Sequence, residues 1–180
     1  LRLATLNVQA LSDKLATIIQ LAKTVDVLCI QESRVTAVMA PGIRNACRKA
    51  GLHCIFGHFQ KDRLGRPFGT NMVIARWPIH KIRQPQGGDQ DRVLYFAIHD
   101  HLRGSVATAN VHGPSEGNER KRLFKEVTTH LATFNRRSIM IGDFNEAPNS
   151  TTITELISTT ALELMDPPEH RNNPTSRPDN

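Results

Sequence analysis

The chain reads as an α+β domain in which strands and helices alternate and then give way to hairpins. Two observations predict this. Short apolar runs with strand character recur at Arg2–Leu6, Val25–Ile30, Val106–Ala109 and Ser138–Ile141, with amphipathic stretches at helical spacing among them. Each run also leads into polar, chemistry-bearing residues: Asn7 and Gln9, Gln31 and Glu32, Asn110 and His112, Asp143 and Asn145. A plain core has no use for acids, amides and a histidine after one strand after another. Folds of this kind keep their chemistry at the carboxyl ends of strands, so the pattern predicts one site assembled on a sheet rim.

The elements follow in order. Residues 2–7 form the first expected strand. Residues 13–23 form a helix with Leu15, Ile18, Ile19 and Ala22 on one face and Ser12 or Asp13 as its cap. Residues 25–31 are apolar almost without interruption, as in a strand buried on both faces. Residues 43–50 form a short helix closed by Gly51, and 53–59 a strand. Gln60 to Pro67 is a polar, basic loop. Residues 70–76 form a strand ended by Trp77-Pro78, and 79–83 another short one. Gln84 to Asp91, with Pro85, Gly87 and Gly88, is a turn-rich connection. Residues 92–99 and 105–111 pair antiparallel around Asp100–Gly104. Residues 117–135 form a long helix with Leu123, Phe124, Val127, Leu131 and Phe134 on one stripe. Residues 138–144 form the key strand and 151–160 a last helix, and from Pro167 the chain turns polar and proline-rich. No repeat or linker divides the 180 residues, which read as one domain, 1–180.

Charge narrows the partner. The net charge is +6 and the isoelectric point about 9.7, which favours an anionic partner, nucleic acid first. Basic clusters at Lys61–Arg66, Arg76–Arg83 and Arg120–Lys125 suit phosphate contacts that position a backbone without reading sequence. They also suit plain solvated faces, and a helix start is not where the dipole favours Arg120, Lys121 and Arg122. Cys29, Cys47 and Cys54 are an odd set without Cys-x-x-Cys spacing, against a disulfide framework or zinc site and in favour of a reducing, intracellular setting. No apolar run approaches membrane-spanning length, and no signal peptide is visible. A chain that opens at Leu1, directly in a strand, is expected to be a piece of something longer.

Asp143 and Asn145 are the sharpest candidates. In extended backbone, residues i and i+2 point to the same side, so the two are expected to converge on one target. The competing reading is a Gly-Asp-Phe-Asn turn whose side chains satisfy the local backbone. His53, His58, His80, His99, His101, His130 and His170 show no metal-ligand spacing and read as structural or surface residues.

Taken in order, Leu6-Asn7-Val8-Gln9, Ile30-Gln31-Glu32, Gly69-Thr70-Asn71-Met72-Val73-Ile74-Ala75-Arg76, Asn110-Val111-His112-Gly113-Pro114 and Ile141-Gly142-Asp143-Phe144-Asn145 resemble the endonuclease/exonuclease/phosphatase superfamily. Its members include pancreatic-type deoxyribonucleases, apurinic endonucleases, the endonuclease domains of LINE-type retrotransposons, and inositol-phosphate and sphingomyelin phosphodiesterases. Each motif alone is weak. Five in sequence over nearly the whole chain are specific together. The resemblance implies a four-layered α/β sandwich: two packed, mostly antiparallel sheets flanked by helices. It also implies divalent-metal-dependent phosphodiester hydrolysis, with Mg²⁺ or Mn²⁺ and with DNA as partner. The retrotransposon and deoxyribonuclease branches are the nearer in flavour, and a retroelement endonuclease would be nuclear.

The same resemblance implies roles. Glu32 is the metal ligand, since hard divalent cations prefer oxygen. Asp143 orients or deprotonates the attacking water, with Asn145 beside it. His112 faces the scissile phosphate. Asn7 supports the metal or a phosphate oxygen, Asn110 touches phosphate or ties neighbouring strand ends together, and Asn71 lies toward the metal side, so that all three stand as substrate-binding candidates. Gln9 departs from the pattern, for many family nucleases carry an acid there, which weakens a second metal position. The family's closing strands, one with an Asp and one ending in an Asp-His pair, find no counterpart before Asn180, although Asn173-Pro174-Thr175-Ser176 resembles the segment before them. The domain is therefore expected to lack its last strands. Two other readings stay open: a phosphatase or phosphodiesterase acting on an inositol phosphate or lipid head group, and a catalytically silent remnant that only binds nucleic acid.

Overall fold

The computed structural model describes residues 1–85, 88–100, 104–134, 137–160 and 163. Gly87, His101, His170, the last residue of the expected 117–135 helix and the proline-rich tail lie outside the described residues. In chain order the elements are β1 (Leu3–Asn7), α1 (Leu15–Ala22), β2 (Val27–Gln31), α2 (Ala40–Lys49), β3 (His53–Phe56), β4 (Gln60–Lys61), β5 (Pro67–Phe68), β6 (Met72–Ala75), β7 (Ile79–Lys81), β8 (Val93–Asp100), β9 (Gly104–His112), α3 (Gly117–Ala132), β10 (Ser138–Asp143) and α4 (Thr151–Thr159).

These form two four-stranded sheets, ordered β1-β2-β6-β3 and β10-β9-β8-β7. Each sheet has one parallel pair, β1 with β2 and β10 with β9, and is antiparallel elsewhere. The mixed, mostly antiparallel sandwich expected from the sequence is the observed one. The stretch expected as a basic loop forms a separate small hairpin, β4–β5, around a turn with Gly65 at φ +76°. The first helix is shorter than expected, and neither Ser12 nor Asp13 caps it. Lys14 is its N-cap and makes no side-chain cap. Its backbone N–H donates to Leu11 in a preceding turn and its Nζ to the Val8 carbonyl at 2.7 Å, so the chain straightens into helix only afterwards. The second helix starts three residues before the expected 43, with proline in its first turn, where a missing N–H costs nothing. Gly51 ends it at φ +74°.

Strand alternation sorts the side chains into three apolar layers. Leu28, Ile30, Met72 and Ile74 face α1 and α2, meeting Ile18, Ile19, Ile43 and Cys47. Val93, Tyr95, Ala107, Ala109 and Val111 face α3 and α4, meeting Leu123, Phe124, Val127, Leu131 and Ile153. Val27, Cys29, Val73, Ala75, Leu94, Phe96 and Ile98 fill the layer between the sheets, with Leu3, Ile55 and Ile141 at its margin. Each large side chain buried this way contributes about 2–3 kcal/mol.

The middle layer changes character along its length. Register pairs Leu3 with Val27 and Asn7 with Gln31 in the first sheet, and Ile98 with Val106, Leu94 with Asn110 and Asp143 with His112 in the second. One end is therefore apolar and the other amide, imidazole and carboxylate. At the polar end the β9 and β10 backbones come very close. A Cβ on Gly142 would lie 1.8 Å from the Val111 carbonyl oxygen, and one on Gly113 would lie 2.3 Å from that of Phe144. Since these atoms are backbone, no side-chain movement relieves either clash. Gly142→Ala is expected to destabilise the fold by at least about 2 kcal/mol. Chemical denaturation tests this, and a midpoint equal to the parent's would show that β9 and β10 do not need that approach.

Candidate active site

The polar end of the middle layer rests on buried amides. Asn110 on β9 is fully buried. Its Nδ2 donates to the carbonyls of Ile30 and Met72, both at 3.1 Å, on two strands of the opposite sheet. Its Oδ1 accepts from Gln31 Nε2 at 2.6 Å. Gln31, equally buried, also pairs with Thr5 Oγ1. Asn71 donates from Nδ2 to the Arg92 carbonyl at 2.8 Å and the Asn110 carbonyl at 3.1 Å. Asn71 and Asn110 spend their side-chain donors on backbone carbonyls and tie the sheets together. Of the two duties the sequence left open for Asn110, the geometry gives the tying one. For Asn71 and Asn110 alike it corrects the expectation of substrate contact: both are buried because strand alternation turns them into the layer.

Above this floor the strands end in unusual backbone. Gln31 points into the layer, so an extended Glu32 would point to the opposite face. Instead Glu32 has φ +51°, and Gln9, Arg34, Thr70 and Asn145 are also left-handed, at φ +54°, +52°, +67° and +48°. All are non-glycine residues, for which this region costs roughly 1 kcal/mol or more, and Thr70 is β-branched. Bonds hold Thr70 in place. Its carbonyl accepts from the Ser33 backbone N–H at 3.1 Å and the Ser33 hydroxyl at 2.7 Å, and its own hydroxyl donates to the Val35 carbonyl at 3.2 Å. Strain held by surrounding bonds at strand ends is characteristic of working sites.

The left-handed turn returns Glu32 to the cluster. Asn7 Nδ2 donates to Glu32 Oε1 and to Asp143 Oδ2, each at 2.9 Å. Asn7 Oδ1 accepts from the Gln9 backbone N–H at 3.2 Å, which fixes the amide orientation. His112 Nε2 lies 3.1 Å from Glu32 Oε1, and a carboxylate there requires the proton on Nε2. Burial holds the His112 imidazole below its ordinary range, aided by Arg92 and opposed by Glu32, Asp143 and Asp89. His112 is thus a neutral hydrogen-bond donor at neutral pH. The structure brings Asn7, Glu32, His112 and Asp143 together, from strands of both sheets.

Asn145 stands apart. The strand ends at Asp143, and the left-handed backbone breaks the i, i+2 relation expected to aim both side chains one way. Asn145 Nδ2 donates instead to the Gly113 carbonyl at 2.8 Å, and its backbone N–H to Asp143 Oδ1 at 3.1 Å. It buttresses Asp143 and joins the loops after β9 and β10. Sequence reading missed Gln31 as a structural bridge. Its signal was available, for a glutamine ending an otherwise apolar, doubly buried strand must find a buried partner. The basic clusters are also more engaged than expected. Arg66 pairs with Asp62, Arg76 with Asp26 and the Lys23 carbonyl, and Lys121 with Glu155.

The cluster suits a hard divalent cation. Two carboxylates converge on one neutral amide, and both contacts to Glu32 fall on Oε1. Among the described residues, no group of three His, Cys, Asp or Glu side chains could hold a metal ion by itself. A bound cation would therefore keep several waters, as Mg²⁺ does with one or two carboxylates. Glu32 and Asp143 offer the carboxylate oxygens there.

The two kinds of asparagine predict different losses. Asn110→Ala removes three hydrogen bonds from a dry layer, one to the Gln31 amide and two to backbone carbonyls, at about 0.5–1.5 kcal/mol each. Asn7→Ala removes a bridge at the wet rim and is expected to cost under about 1 kcal/mol. Equal denaturation midpoints for the two variants would contradict the division between floor and rim.

Comparison with known proteins agrees with the fold. Comparison with curated proteins gives no match. Similar solved structures include ANGEL2, a 2′,3′-cyclic phosphatase, at 20% identity and TM-score 0.53, covering 78% of this chain and 44% of that one. The AP endonuclease LMAP from Leishmania major matches at 17% and 0.59, covering 83% and 56%. An endonuclease/exonuclease/phosphatase family protein from Leptotrichia buccalis matches at 16% and 0.57, covering 88% and 72%. The chain thus spans about half the length of the first two. The model of the endonuclease/exonuclease/phosphatase family matches residues 4–179, nearly the whole sequence, and the chain belongs to that family of phosphoesterases and nucleases.

Proposed function

We propose that the protein is a divalent-metal-dependent phosphodiesterase and, more narrowly, a DNA endonuclease domain of the LINE retrotransposon type. The observation that carries the reading is the Asn7 amide held between Glu32 and Asp143, with His112 on the same carboxylate. Glu32 would hold a divalent cation, which would supply charge stabilisation for the phosphoryl oxygens and help for the leaving alkoxide. Asp143, with its carboxylate fixed by Asn7 and the Asn145 backbone, accepts the proton of the attacking water. Neutral His112, whose Nε2–H points at Glu32 Oε1 in the structure, would turn that proton to a phosphoryl oxygen once Glu32 held the cation. The net charge of +6 favours a polyanionic substrate. The Asn110-Val111-His112-Gly113-Pro114 and Gln31-Glu32-Ser33 patterns favour the nuclease branches over those acting on lipids.

Nicking of supercoiled plasmid in Mg²⁺ tests this. Asp143→Asn keeps the shape but cannot take the proton, and loss of positioned acid–base help costs on the order of 10²–10⁴ in rate. DNA affinity at fixed salt should survive, because phosphate contacts by basic side chains dominate it. Nicking by Asp143→Asn at the parental rate would remove Asp143 from the chemistry. Phosphate release from small esters without nicking would point to the phosphatase reading, and salt-sensitive DNA binding without any turnover to a silent binder.

A further inference from the structure

We propose that Arg120 and Glu146 form a positioning pair that locks the loop after His112 onto the loop after Asp143, and so sets the geometry of the centre without touching substrate. The significance of the pair rests on the reading of His112 and Asp143 as that centre.

Sequence reasoning grouped Arg120 with Lys121 and Arg122 as an exposed basic cluster. The structure separates them. Arg120 lies three and four residues before Leu123 and Phe124, so it continues the buried stripe of α3, and its side chain is only 11% exposed. Its Nε donates to Glu146 Oε2 at 2.7 Å and a terminal nitrogen reaches the same oxygen at 2.5 Å. The other terminal nitrogen donates to the carbonyls of Pro114 and Ser115, both at 2.8 Å. Pro114 and Ser115 follow His112-Gly113, and Glu146 follows Asn145. One guanidinium therefore holds both loops at once.

The clamp lies directly over the contacts that place the reacting groups. Between the same loops, Asn145 Nδ2 donates to the Gly113 carbonyl at 2.8 Å and the Gly113 N–H to the Asp143 carbonyl at 2.7 Å. Asn145 in turn steadies Asp143 Oδ1. The chain of bonds runs from Arg120 through both loops to the carboxylate. An exposed ion pair would contribute little. This one is shielded, and it uses the full fork of the guanidinium. Lysine is a point charge on a flexible stem. It could pair with Glu146 but could not hold two carbonyls as well.

That difference gives the test. Arg120→Lys and Glu146→Gln are made in the full chain. Melting temperature, kcat and KM for plasmid nicking, and the side-chain amide resonances of Asn145 are measured for each. In Arg120→Lys we expect melting within a few degrees of the parent, KM within about twofold, and kcat lower by about tenfold or more, since misplacement by an ångström can cost 10²-fold. The Asn145 amide protons should shift and exchange faster in both variants. A lysine variant with parental kcat and unshifted Asn145 signals would overturn the proposal, as would a kcat that falls only in step with the unfolded fraction. If even the parent hydrolyses no phosphodiester, the functional reading fails, but Asn145 still reports on the clamp. Shifted signals in both variants would uphold it and unshifted signals in both would overturn it. Glu146→Gln, nearly isosteric, keeps the question answerable if the lysine variant does not fold.

Discussion

The side-chain amide of Asn110 is the contact on which the site depends. It stands on one sheet and holds two strands of the other through their carbonyls, while accepting from Gln31. Two sheets packed only by apolar side chains could slide by small steps at little cost, because hydrophobic contact is non-directional. Hydrogen bonds in a dry layer are directional, and unmaking one is expensive. The amide floor therefore converts a general sandwich into a fixed register between β2 and β9. The strand ends that carry Glu32 and His112 follow directly from those two strands, so their separation is set before any loop contributes.

What sits on this floor would be unfavourable in an ordinary protein. Glu32 and Asp143 both approach one neutral amide, and an imidazole is kept largely from water. Several non-glycine residues around them adopt left-handed backbone. The fold tolerates this because three apolar layers and the pinned glycines Gly113 and Gly142 hold the loops in place. Concentrated negative charge at the mouth of a basic protein suits a cation that in turn meets a phosphate. The geometry thus links architecture to position: donors and carboxylates are brought together by the fold itself.

Much of this was legible in the sequence, for identifiable reasons. Apolar runs that end in polar residues announced the strands and the rim. Asn7, Glu32, His112 and Asp143, placed there by sequence, do meet. Bounds of the helices were less legible, since tight turns such as the one before Lys14 delay a helix without changing its apolar stripe. The direction of Asn145 was not legible, because its i, i+2 relation to Asp143 assumed extended backbone past the strand's end. Asn71 and Asn110 took their expected contacts from the family pattern, and strand periodicity alone does not say which carbonyls lie across the layer. Arg120 was read by its charge rather than by its place on the stripe of Leu123 and Phe124. Local pattern reports the face of a residue well, but partners across sheets belong to the tertiary packing.

The central claim is that a divalent cation binds at the polar end of the middle layer, at Glu32. Substoichiometric Mn²⁺ titrated into isotopically labelled protein tests it directly, because the paramagnetic ion broadens only nearby signals. The account predicts early loss of the side-chain amide signals of Asn7 and the ring signals of His112, with Ala75 and Ile98 at the apolar end untouched, and no such selectivity in Glu32→Gln. Uniform broadening, or selective loss at a site away from Glu32 and Asp143, would contradict it.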